Sequence, residues 1–177
     1  MGFMSKMLVK GATKATVGAA KKWTTSKFTD LAVKSISNML GLSDTRIGKI
    51  LERGIPGMIF AGAEDPSITD RLFGDMKDRK KDRDKKKKRG REESSHHFFD
   101  IFGNVGRTLV KSISRDTGES EENVSGVLGM FLPTFQTVLD EEKPEDAGML
   151  HRMFKKEAED IEEESPGLAK RALNMIF

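Results

Sequence analysis

His96 and His97, with Asp100 just beyond and His151 further along, are the residues with the right types to hold a divalent metal. Their spacing argues against it: adjacent histidines on a helix do not share one face, and nothing else falls at ligand spacing. The acidic run Glu157 to Glu164 offers many carboxylates. Catalytic carboxylate pairs need a sheltered pocket that separates their pKa values, and a solvated run supplies none. The chain has no Gly-x-x-x-x-Gly-Lys-Ser loop, no nucleophile elbow and no cysteine. Neither an enzyme, a metal site nor a cofactor is expected.

The remaining chemistry is electrostatic. Lys77, Arg79, Lys80, Lys81, Arg83, Lys85, Lys86, Lys87, Lys88, Arg89 and Arg91 stand against only Asp78, Asp82 and Asp84, a local charge of +8. Clustered cations of this kind release counterions from nucleic acid or rest on another anionic surface. The same run is also what a solvated tether looks like, since with no apolar residue it cannot repay the entropy of ordering. From Glu119 to Glu164 the balance reverses to −10, and residues 1 to 30 carry +5. Tether and acidic half are therefore expected to attract one another, within a chain or between copies.

A length of 177 residues, 36% hydrophobic and 33% charged, suits a modest soluble core. No apolar run is long enough for a transmembrane helix. The short patch Met7-Leu8-Val9 is broken up by lysines, so no signal-peptide core forms, and a cytoplasmic location is expected.

The elements that must position these charges repeat. A gapless shift of 77 residues lays Val33-Lys34-Ser35-Ile36-Ser37 on Val110-Lys111-Ser112-Ile113-Ser114, Gly41 on Gly118, Ser43 on Ser120, Leu51 on Leu128 and Pro56 on Pro133. What recurs is an apolar frame with its Gly and Pro punctuation, which encodes a fold. Helical stripes are read at Phe28, Leu31, Ala32, Ile36, Met39 and Leu40, and again at Met149, Leu150, Met153 and Phe154. Gly41 ends the first stripe, Ser43 caps the next helix, and Pro56 breaks or kinks it. Strand-period alternation is absent, so the expected fold is all-α. It comprises two homologous small helical units, each with a helix-turn-helix-like core and a Pro-kinked helix, joined by a basic linker. The expected boundaries are 1–27 for a basic amphipathic N-terminal helix, 28–75 for the first unit, 76–97 for a charged flexible linker, 98–154 for the second unit, and 155–177 for an acidic segment with a C-terminal helix.

Gly41-Leu42-Ser43 with Pro56, and Gly118-Glu119-Ser120 with Pro133, resemble the Gly-Leu-Ser turn and Pro-centred helix of the YidB-like bacterial domain family, over roughly residues 28 to 65 and 105 to 142. The resemblance implies a small helical fold with homeodomain-like features and brings no known activity. Ser37, Gly41, Ile47 and Ile50 also resemble the packing positions of a DNA-binding helix-turn-helix, whose second helix would present Arg46 and Lys49 to a groove. Glu121 and Glu122 occupy that surface in the second unit and would repel phosphate.

The expected function is a non-enzymatic protein-binding or self-assembling scaffold. Its partner is another protein or a second copy, and no small-molecule substrate is evident. Its contacts would be Met4, Leu8, Trp23 and Phe28 at one end and Leu168, Leu173, Ile176 and Phe177 at the other. One alternative is a nucleic-acid-associated protein using the basic linker with Arg46 and Lys49. A second is a peripheral membrane-surface protein held by the N-terminal basic helix.

Overall fold

The computed structural model describes residues 27–82 and 90–177, of which residues 27–29 are described by their backbone alone. Over these residues the chain is all-α, without a strand. Its helices are α1 (Lys27–Leu40), α2 (Asp44–Glu64), α3 (Pro66–Lys81), α4 (Arg91–Thr117), α5 (Glu121–Asp140), α6 (Ala147–Glu164) and α7 (Pro166–Ile176).

The α1–α2 turn shows how local chemistry sets the architecture. Gly41 adopts φ +65°, a conformation open to glycine at little cost, and returns its N–H to the carbonyl of Ser37 at 2.9 Å. The Ser37 hydroxyl donates to the carbonyl of Leu42 at 2.7 Å, and Ser43 Oγ accepts from the backbone N–H of Arg46, opening α2. The same bonds recur 77 residues on. Gly118 has φ +75°, Ser114 Oγ donates to the carbonyl of Glu119, and Ser120 Oγ accepts from Asn123 N–H.

Helix α2 is the hub. It is buried from Gly54 through Ala63 and packs against each of the other six described helices. Residues from both halves share one apolar cluster, from Val33 and Ile36 to Met175 and Ile176, so the repeats do not bury separate cores. Contacts cross between them: α1 lies on α5, and α2 on α4.

Pro56, expected to break or kink its helix, and Pro133, expected in a Pro-kinked helix of the second unit, both lie inside helices that continue past them, α2 and α5. A proline costs a helix interior about 3 kcal/mol, whereas each fully buried large apolar side chain contributes about 1.5–3 kcal/mol. Ile55, Met58, Ile59 and Phe60 around Pro56 therefore outweigh it.

The sharp bend comes elsewhere, at Gly103 in α4, where φ 58° and ψ −140° suit glycine alone. Before the bend, Phe98 and Phe102 stack at 4.8 Å and α4 runs antiparallel to α3. Successive rungs are His97 with Asp75 at 3.0 Å, and Arg71 Nε donating to the carbonyl of Ile101 at 2.7 Å. Beyond the bend, Leu109 and Ile113 face Gly57 and Gly54 of α2.

The expected linker 76–97 is largely helical. α3 runs to Lys81 and α4 starts at Arg91, because Met76 and Ser94 are buried and hold both ends in the fold. Its centre, Arg83 to Arg89, lies outside the described residues. The acidic run, expected to be solvated, forms α6 with Phe154, Glu157, Ala158 and Ile161 turned inward. The C-terminal segment docks as α7 on α2, α4 and α6.

Candidate functional site

Most described cations of the basic run are spent inside the fold. Arg79 Nη1 donates to Gln136 Oε1 at 2.5 Å, Lys80 meets Asp140 at 2.7 Å, and Arg91 meets Glu122 at 3.5 Å. All three partners lie on α5, so the ends of the basic run are stapled to one acidic helix. Lys77 sits over the ring of Phe73, while Lys81 is exposed. Arg83, Lys85, Lys86, Lys87, Lys88 and Arg89 lie outside the described residues.

Arg46, expected to face a groove, instead forms a bidentate pair with Glu119 at 2.5 and 2.6 Å. The Arg46 hydrogen bonds hold the Glu119 carboxyl below the ordinary carboxylate range, against desolvation that pushes it up. Lys49 is exposed one turn further along α2. The sequence signal for this pair was faint: Glu119 is the residue that departs from Leu in the turn motif, and its charge answers Arg46.

The histidines separate. His96 is exposed, His97 is bound to Asp75, and His151 Nδ1–H donates to the carbonyl of Gly62 at 3.0 Å. Among the described residues no three metal-binding side chains converge. Asp75 also accepts from Gln136 Nε2 at 2.6 Å, so Asp75, His97, Gln136 and Arg79 form one polar knot joining α3, α4 and α5. Gln136 is 3% exposed, and nothing in the apolar pattern around it announced that knot.

The expected partner residues divide. Ile176 is buried, which corrects its reading as an outward contact, and Leu168 and Leu173 are half-buried against the core, because α7 uses its apolar face within the chain. Phe177 is 78% exposed. Met4, Leu8 and Trp23 lie outside the described residues, as does the side chain of Phe28.

Apart from Phe177, the large exposed apolar side chains among the described residues are on α1. Val33 and Ile36 point inward, but Leu31 is 64% and Met39 46% exposed, four residues either side of Ser35. The position 77 residues later is polar and touches α7: Ser112 donates to the carbonyl of Met175 at 3.1 Å, and the exposed Thr108 and Asp116 stand where α1 has Leu31 and Met39. No described helix is long and apolar enough to cross a membrane.

No curated protein and no solved structure matches the chain. Residues 100–164, from the end of the first limb of α4 through α6, match a family described as a bacterial protein of unknown function, DUF937.

Proposed function

We propose that this chain is a non-enzymatic self-assembling module, two YidB-like units fused in tandem, in which the face of α1 left uncovered by the other described helices pairs with the same face of a second copy. The turn geometry shared by Gly41–Ser43 and Gly118–Ser120 supports the tandem reading. The observation that carries the pairing is the exposure of Leu31 and Met39 symmetrically about Ser35. In an antiparallel pair of α1 helices related by a two-fold axis at Ser35, Leu31 of each copy meets Met39 of the other, and the small serine lets the helices approach. Full burial of a Leu or Met contributes about 1.5–3 kcal/mol, while association costs about 4–15 kcal/mol. The dimer is therefore weak and forms at high concentration.

Sedimentation of the full chain across micromolar to millimolar concentration tests this. The expected result is a monomer–dimer equilibrium that Leu31→Glu with Met39→Glu abolishes. A parent chain that stays monomeric throughout sinks the proposal. A chain that dimerises only once residues 1–26 are removed also sinks it, and assigns the face to the N-terminal segment. The groove-binding reading is less favoured, since Arg46 is committed to Glu119 and most of α2 is core.

A further inference from the structure

Several arginines of this protein have partners. Arg46 pairs with Glu119, Arg53 donates to the carbonyl of Lys49, Arg71 to that of Ile101 and Arg79 to Gln136. Arg91 pairs with Glu122, and Arg107 lies over Phe99. Arg115 and Arg171, like Arg152 and most of the described lysines, have no such partner among the described residues; what sets these two apart is that both line one cleft of about 370 Å³ between the C-terminal end of α4 and α7. Lys170 lines it too, with Asp116 as the acid and Ser112 and Asn174 as neutral polar groups.

The two walls are fixed before any ligand arrives. Ser112 ties α4 to the carbonyl of Met175, and α7 is anchored by buried Ala169, Ala172, Met175 and Ile176. Three exposed cations thus line one concavity whose lining holds a single carboxylate, Asp116. Their mutual repulsion is relieved by an entering anion, and a preformed site does not lose the free energy of assembling itself. The cleft is open to solvent and its lining is mostly polar, which suits a charged ligand better than an apolar one.

We propose that this cleft binds a small phosphorylated molecule. Arg115, Lys170 and Arg171 take the phosphate dianion, while Asp116 and Asn174 accept hydrogen bonds from hydroxyl groups on the ligand body. Asp116 also selects against ligands that fill the whole cleft with phosphate. A free sugar phosphate and a membrane phosphate headgroup share this chemistry.

The test is an amide-resolved NMR titration of the full chain with ribose 5-phosphate and with ribose at about 150 mM salt, where long-range attraction is screened. A parallel arm measures co-sedimentation with phosphatidylcholine vesicles containing phosphatidic acid. Saturable shifts at Ser112, Arg115, Gly167, Lys170 and Arg171 with ribose 5-phosphate but not ribose are expected. Arg115→Gln with Arg171→Gln weakens binding about tenfold or more. Both side chains are exposed, so the variant's melting temperature should match the parent's. If only vesicles bind, and the variant loses that binding, the source of the phosphate is a lipid. Binding of neither probe, or equal binding by parent and variant, overturns the assignment.

Discussion

Arg46, in the first turn of α2, and Glu119, in the turn before α5, meet through two hydrogen bonds of 2.5 and 2.6 Å across 73 residues of sequence. The pair joins one copy of the repeated turn to the other. The Glu119 carboxyl is held below its ordinary value of 4.5, so its contribution is present above that value and fades as pH falls through the lowered one. Glu119→Gln is expected to lower stability at neutral pH. The gap between parent and variant should close under acid, as seen in denaturant unfolding from about pH 7 to about pH 3. A gap independent of pH counts against the ion pair as its origin.

A Cβ at Gly129 on α5 would stand 2.1 Å from the backbone carbonyl oxygen of Ser94 on α4, and backbone cannot swing aside as a side chain can. Gly129→Ala is expected to cost about 1–3 kcal/mol. Gly74, on the exposed side of α3, has nothing within 4 Å of the same atom, so Gly74→Ala should gain about 0.5–1 kcal/mol from helix propensity. Paired thermal melts check the opposite signs.

The bend in α4 rests on Gly103 and on the Arg71 guanidinium that satisfies Ile101. Gly103→Ala forces a side chain into a conformation costing about 1–3 kcal/mol. Arg71→Met leaves the carbonyl short of a partner, at about 1–3 kcal/mol. Calorimetry of the two variants should show both destabilised, and hydrogen exchange should show faster opening at the α3–α4 contact than at the α6–α7 contact.

Gln136 is a buried polar residue in an otherwise apolar stretch of α5, and it bridges Asp75 and Arg79. Gln136→Leu keeps the volume but removes both bonds, so a loss of about 1–3 kcal/mol is expected. Gln136→Glu keeps an acceptor for Arg79 but sets a carboxylate against Asp75. It should be destabilised more at neutral pH than under acid, where protonation restores a donor. Urea unfolding at two pH values separates the cases.

The sequence alone settled the helical class, the Gly–Ser turns that end α1 and α4 and open α2 and α5, and the apolar positions of each stripe. Those features depend on groups a few residues apart, whose propensities and caps act locally. It misjudged the ends of the basic run, where charge suggested a flexible linker and burial against distant helices overruled it. The sequence also could not foresee that Leu31 and Met39 stay in water while Leu168 and Leu173 turn inward, since all four belong to equally good helical stripes. Which stripe is covered depends on what lies opposite, and α7 lies over Ser112 with no described counterpart over Ser35. Likewise Arg46 reads as a groove contact until Glu119 comes within 2.5 Å, and Arg115 and Arg171 become one site only because the packing of α7 on α4 sets them around the same cleft. Contacts between residues distant in sequence arise from closing the core, and only the tertiary structure decides which pairs that closure brings together.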